Sequence, residues 1–253
     1  MKIIVIIPTF NEKESVGGLL ENIAGKIFKE VPNHQIGILV VDGASPDGTA
    51  DIVKAKSAIY PNLNLIAEKK KRGIGSAYIA GMKYAIEKLG ADAVIEFDGD
   101  GQHNPEDIKR LAAELDKGYD YVIGSRYILG GSVPKEWAHW RKFLSKFGGL
   151  FAKIILNLPT NDNTSGLKLS RVKNLAERLP LDENKVLSKY YAYKIHFLYE
   201  MIKMGAKTKE IPIKFLERRN GSSKSTFRDI FDSLRVVLAL KFRNNKSPQH
   251  KLS

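Results

Sequence analysis

Five short apolar runs, at residues 2–7, 36–41, 64–67, 93–97 and 121–124, recur through the first half of the chain. Helix-period patterns near 14–28, 49–58, 75–89 and 105–115 fill the gaps between them. Runs this short read as strands, while apolar residues spaced at the 3.6 period read as amphipathic helices. Their alternation predicts an α/β layer fold with a mostly parallel central sheet, because parallel strands need a crossover and a helix is the usual one. Ser45-Pro46-Asp47-Gly48 precedes the second helix, and Asn104-Pro105 opens the fourth. Such sheets bind ligands outside the carboxyl ends of their strands, so polar motifs matter most at that address.

Phe97-Asp98-Gly99-Asp100-Gly101-Gln102-His103 stands there, directly after the fourth run. In an extended backbone, residues two apart share a face, which would aim Asp98, Asp100 and Gln102 the same way. Carboxylate and amide oxygens are hard ligands suited to Mg²⁺ or Mn²⁺. A turn built on Asp-Gly pairs is the plain alternative. Two more polar turns end earlier strands: Pro8-Thr9-Phe10-Asn11-Glu12, and the segment from Val40 through Asp42 and Ser45 to Thr49. Each suits helix capping as well as ligand binding; the three together suit one nucleotide cleft. There is no Walker A sequence, and Gly73-Ile74-Gly75 lacks the third glycine of a dinucleotide fingerprint. Lys69-Lys70-Lys71-Arg72 reads equally as a phosphate-attracting or a solvated basic loop.

Composition narrows the class. Without cysteine, a disulfide framework, a Cys-ligated zinc site and thiol catalysis are excluded. No stretch nears the ~20 apolar residues of a membrane span, and no signal peptide is expected at the start. Charge is lopsided: residues 1–126 carry 16 Lys and Arg against 18 Asp and Glu, and residues 127–253 carry 25 against 10. The basic half is expected to meet something anionic. Within it, Phe143, Phe147, Leu150, Phe151, Ile154, Ile155 and Leu158 recur at helical spacing among Arg141, Lys142, Lys146 and Lys153. A further helix is expected near 194–204, a strand near 209–216, and an amphipathic segment bearing Phe227, Ile230, Phe231, Leu234, Val237 and Leu238.

The motifs as a set resemble the family 2 glycosyltransferases, and among them the dolichyl-phosphate mannose synthases. The resemblance runs through Pro8 to Glu12, Val41-Asp42 with Asp47-Gly48-Thr49, Gly73 to Tyr78, Asp98-Gly99-Asp100 with His103 and Pro105, Gly124 to Tyr127, and Asn163 to Gly166. It continues from Glu210-Ile211-Pro212-Ile213 to Arg218, Gly221, Ser223 and Lys224. Phe10 stands where such proteins usually carry Tyr, and Lys168 where they usually carry Arg.

The resemblance implies a Rossmann-like nucleotide-diphospho-sugar transferase fold of the GT-A type, followed by C-terminal amphipathic helices. With the residue pattern of the second half, the expected division is a catalytic domain over 1–225, an amphipathic membrane-interface helix over 226–243, and a disordered polar tail over 244–253. Pro8, Phe10, Glu12, Val40, Asp42, Phe97 and Gly99 would surround the nucleotide sugar. Asp98, Asp100 and Gln102 would hold Mg²⁺ or Mn²⁺ and the donor diphosphate, on which Arg218 and Lys224 would close. Arg126, Arg141 and Ser145 would face the acceptor phosphate, with Asp98, Asp100 and Arg126 central to catalysis. The implied reaction moves a hexose, mannose from GDP-mannose, onto a polyprenyl (dolichyl) phosphate with inversion. The implied setting is cytoplasmic, peripheral on the cytoplasmic face of a membrane, with a small membrane-anchoring subunit as a further partner.

Two rivals remain at this point. Another nucleotide sugar, UDP-glucose or UDP-GlcNAc, could serve a lipid phosphate or a sugar hydroxyl. A hydroxyl acceptor needs a base, and the Gln-x-x-Arg-Trp block of processive relatives is absent. The basic half could also bind nucleic acid, but it carries neither an aromatic-rich RNA motif nor zinc-finger spacing, so no nucleic-acid partner is expected.

Overall fold

The computed structural model describes residues 1–218 and 227–246, with side chains described over 228–243 in the second stretch. Seven strands form one sheet: β1 (Lys2–Thr9), β2 (Gln35–Asp42), β3 (Leu63–Ala67), β4 (Ala93–Glu96), β5 (Tyr121–Ser125), β6 (Lys168–Arg171) and β7 (Thr208–Pro212). Their order is β3-β2-β1-β4-β6-β5-β7. All run parallel except β6, which is antiparallel to both β4 and β5.

The helices are α1 (Lys13–Gly25), α2 (Thr49–Ser57), α3 (Ile74–Glu87), α4 (Glu106–Asp116), α5 (His139–Leu156), α6 (Tyr193–Lys203) and α7 (Phe227–Lys246). The run Ile-Ile-Val-Ile-Ile in β1 explains the layering. Ile3, Val5 and Ile7 point into a core shared with Val16, Leu20, Val53, Ile108 and Leu111 of α1, α2 and α4. Ile4 and Ile6 point oppositely, into a core with Tyr78, Met82, Ala152, Phe197, Val236 and Leu240 of α3, α5, α6 and α7. A strand buried on both faces needs apolar residues at every position rather than every second one.

The expected α/β architecture with a mostly parallel central sheet is present, with four corrections to its parts. The first helix ends at Gly25, and a separate 3-10 turn covers Ile27–Glu30. The strand expected near 209–216 stops at Pro212, and beyond it only Lys214 makes an isolated bridge, to Ser132. β6 was not expected. The final helix runs on to Lys246, past the expected start of the tail; residues 247–253 lie outside the described ones.

Strand order reverses at β1, whose neighbours are β2 and β4. The loops that leave β1 and β4 therefore meet at the crevice where sheets of this type bind ligands. Gly75 closes the side of that crevice. A Cβ there would fall 2.8 Å from the Tyr190 carbonyl oxygen, and Gly75 N–H donates to the Lys189 carbonyl at 3.0 Å. The Gly73-Ile74-Gly75 block thus seats the loop ahead of α6 on the start of α3.

Candidate active site

The loop after β4 is a turn, which corrects the extended geometry expected of it. Glu96 ends the strand, Gly101 takes φ 76°, and Asp100 Oδ1 accepts from Gln102 N–H at 3.1 Å. Gln102 spends its side-chain amide on the Leu216 carbonyl at 3.1 Å. Gly99 packs against the end of β1, its Cβ position only 3.0 Å from the Pro8 carbonyl oxygen.

Asp98 sits in a pocket of donors. Tyr78 OH donates to Oδ1 at 2.8 Å, Lys194 Nζ lies 3.4 Å from Oδ2, and His103 Nε2 lies 3.4 Å from the same oxygen. Gly166 makes room for this arrangement: a Cβ there would lie 2.2 Å from Asp98 Oδ2 and 2.8 Å from Lys194 Nζ. Burial alone would raise the Asp98 carboxyl, but Lys194, His103 and Tyr78 together hold it far below the carboxylate range. Asp100 goes the other way, raised by burial and by the Asp98 charge despite His103 and Arg218. Behind the pair, burial lowers Lys168 to about 8 although the Glu96 charge opposes the shift. Glu96 and Lys168 are register partners across β4 and β6. Tyr193 OH donates to Glu96, and Lys168 Nζ donates to the Lys194 carbonyl at 3.1 Å.

The crevice receives Arg218 from the far end of the chain. Its Nη2 donates to Glu12 Oε1 at 2.8 Å and lies 3.8 Å from Asp100 Oδ2. Arg141 stacks over Trp137, its guanidinium carbon 4.0 Å from the ring centroid. Burial and then the like charge of Arg218 lower its pKa, while Asp100 opposes this. Two guanidinium groups that repel one another beside a raised carboxylate form a place where an anion and a cation are both wanted.

Other expected residues fall in different settings. Asp42 is satisfied at the mouth of β2, accepting from Thr9 Oγ1 at 2.9 Å, Ser45 Oγ at 2.6 Å and Ser45 N–H at 2.9 Å. Phe10 lies under Lys71, whose Nζ is 3.7 Å from the ring centroid. Val40 and Phe97 are wholly buried in the core on the α1 side. Arg126 is buried with its fork on Asp162, Nε and Nη2 each 2.8 Å from a carboxylate oxygen, and Nη2 also donates to Thr164 Oγ1 at 2.9 Å. Ser145 Oγ accepts from Tyr127 OH at 2.7 Å. Lys224, Gly221 and Ser223 lie outside the described residues. Sequence reading held Tyr78 and Gly166 only as members of the resembling blocks, with no role for either, and missed Asp162 and Lys194. Only long-range contacts give these their roles, so no local spacing announces them.

The oxygen donors of Asp98, Asp100 and Gln102 suit a hard divalent ion. Among the described residues no group of three His, Cys, Asp or Glu side chains could hold a metal. An ion here would need ligands from its substrate or from water.

The profile of "Glycosyl transferase family 2" matches residues 4–179. An undecaprenyl-phosphate mannosyltransferase of Micrococcus luteus is 37% identical over 88% of this chain and 87% of its own length. A polyprenol monophosphomannose synthase of Mycolicibacterium smegmatis is 35% identical over 91% of this chain and 83% of its own. The structure of a Pyrobaculum calidifontis mannosyltransferase, solved with GDP-Man and Mn²⁺, superposes with TM-score 0.62 at 20% identity, over 97% of this chain and 65% of that one.

Proposed function

The chain belongs to glycosyl transferase family 2, and from that footing we propose that it transfers mannose from GDP-mannose to a polyprenyl phosphate, inverting the anomeric carbon. The observation that carries the proposal is the similarity to two mannosyltransferases of polyprenyl phosphates along nearly nine tenths of the chain. The charge layout supports it: Asp98 and Asp100 end β4 at the strand-order reversal, with Arg218 beside Asp100 and Arg141 within its electrostatic reach.

The leaving group is a nucleoside diphosphate whose charge grows as the glycosidic bond breaks. Arg218 is placed to take part of that charge, held in line by Glu12. Bound Mg²⁺ or Mn²⁺ would be held by Asp100 with Asp98 and the Gln102 side chain, and would supply Lewis-acid stabilisation of the diphosphate. The acceptor phosphate, with a second pKa near ~6, is already an anionic nucleophile at neutral pH. A strong base is then unnecessary. Arg141 would grip that phosphate through its planar fork, Ser145 would add a hydroxyl, and Arg126 would stand as a fixed cation behind them.

The acceptor's tail belongs in a bilayer, which brings the enzyme to a membrane surface. Among the described residues no helix is long and apolar enough to cross one. α5 and α7 pack together and expose Trp140, Phe143, Phe147, Leu150 and Ile154 on one and Phe231, Leu238 and Phe242 on the other. Lys142, Lys146, Lys153, Arg228, Arg235 and Lys241 are interleaved with them, the pattern of helices lying in a lipid interface. This reading makes the protein peripheral on the cytoplasmic face, where anionic lipid and nucleotide sugar meet.

The test is a matrix of labelled GDP-mannose, UDP-glucose and UDP-GlcNAc against dolichyl and undecaprenyl phosphate, with and without Mn²⁺. Transfer from a UDP-sugar in preference to GDP-mannose would overturn the donor assignment.

A further inference from the structure

Arg126 and Arg141 come from different elements, and a pair of aromatic rings joins them. Trp137 stands half-buried just ahead of α5, four residues before Arg141. The Arg141 guanidinium carbon lies 4.0 Å from the centre of the Trp137 ring. Among the described residues the Arg141 side chain has no hydrogen-bond or ion-pair partner, so the indole face is what orients it. Trp137 in turn meets Phe215 edge to face, with ring centroids 5.8 Å apart at 78°. The Phe215 ring centroid lies 5.5 Å from the Arg126 guanidinium carbon and 5.0 Å from the His103 ring. Backbone bonds fix Phe215 from two sides. Its N–H donates to the Ser132 carbonyl at 3.0 Å, and the N–H of Leu216 donates to the Gln102 carbonyl at 2.8 Å. No step of the reaction above uses either ring.

We propose that Trp137 is a positioning residue for the acceptor phosphate: it holds the Arg141 guanidinium by its face and, through Phe215, fixes that grip relative to Arg126. The proposal rests on the acceptor assignment of the two arginines given above. A guanidinium covered on its planar face keeps its N–H edge free, and that edge is the part that binds a phosphate. Arg126 is already oriented by Asp162 and Thr164. Arg141 has no such carboxylate, and a long side chain left unheld would lose rotamer freedom each time it closed on a ligand. The indole removes that cost beforehand and adds a cation–π attraction that survives partial burial.

The experiment is steady-state kinetics of the full chain with labelled GDP-mannose and dolichyl phosphate, each varied in turn. Trp137→Leu keeps an apolar side chain but removes the ring. It should raise the acceptor KM about fivefold to tenfold, the worth of a partly desolvated cation–π contact, and leave the donor KM within about twofold. Trp137→Phe restores a ring and should recover most of the loss. In an Arg141→Ala background, Trp137→Leu should add less than about twofold, because the two residues act as one unit. Circular dichroism and thermal unfolding verify that each variant is folded; if Trp137→Leu does not fold, Trp137→Met carries the same test. An unchanged acceptor KM in the folded ringless variant overturns the proposal. So does a loss of the same size with or without Arg141, or an equal rise in the donor KM. Arg141→Ala that leaves the acceptor KM unchanged would instead sink the acceptor assignment, and the proposal with it.

Discussion

Arg218 donates to Glu12 at 2.8 Å across 206 positions of sequence, so the segment after β7 closes on the N-cap of α1. The contact places a guanidinium over the carboxyl ends of β1 and β4, beside Asp100. A cation held there by an acid is oriented before substrate arrives, which is what stabilising a departing diphosphate requires.

Arg218→Ala should therefore lower kcat/KM for the nucleotide sugar by roughly 10²–10³, the usual cost of losing one preorganised donor to developing charge. The acceptor KM should move much less. Steady-state kinetics with each substrate varied in turn checks this. A loss confined to the acceptor KM would place Arg218 elsewhere.

Asp100→Asn should remove most of the activity without destabilising the fold. Burial and the Asp98 charge already raise this carboxyl, so the folded protein gains nothing from its ionisation. In chelator at pH 7 the melting temperature should equal or exceed that of the unaltered protein, whereas with Mn²⁺ supplied turnover should fall by several kcal/mol in the transition state, about 10³-fold. Turnover near the original level would count against the metal site.

The Arg126–Asp162 pair predicts the reverse balance. Asp162→Asn leaves a buried guanidinium uncompensated and should cost about 3–5 kcal/mol of stability at pH 7. Burial would raise the Asp162 carboxyl, but Arg126 holds it below its ordinary value. Its contribution is therefore complete above the unfolded pKa near ~3.9 and is lost as pH falls through the lower folded value. Denaturant titrations should show a wide gap between the two proteins at pH 7 that closes below pH ~4. A gap independent of pH would mean that packing, not charge, is what the substitution removes.

Membrane attachment is tested on α7. Phe231 is 72% exposed, Phe242 63% and Leu238 44%, whereas Leu234 is half-buried and is better left intact. Flotation on liposomes should rise with anionic lipid, weaken in high salt, and fall when Phe231, Leu238 and Phe242 are all changed to Ser. Unchanged flotation of that triple variant would remove α7 from the lipid contact.

The sequence made the layers legible wherever apolar runs and turn residues coincide. β1, β2, β4 and β5 were readable because strands buried on both faces are continuously apolar, and Asn104-Pro105 marked α4, where Asn104 Oδ1 accepts from Glu106 N–H at 3.1 Å. β6 was not readable: Lys-Leu-Ser-Arg has no apolar run, and its buried Lys168 finds its partners far off in sequence, Glu96 opposite in register and the Lys194 carbonyl at 3.1 Å. The site divided in the same way. Asp98 and Asp100 were visible from their place at a strand end, although a turn rather than an extended strand sets their geometry. Lys194 was invisible, since its contact with Asp98 spans 96 positions and nothing around Tyr193-Lys194 resembles a binding motif.

The central claim is that a lipid phosphate, not a hydroxyl, is the nucleophile. The most direct measurement incubates the purified protein with radiolabelled GDP-mannose and either dolichyl phosphate or the matching free dolichol, then counts label in the organic phase. The account predicts rapid transfer to the phosphate and none to the alcohol, with a product cleaved by mild acid to release mannose. Comparable transfer to the free alcohol, or none to the phosphate, would contradict it.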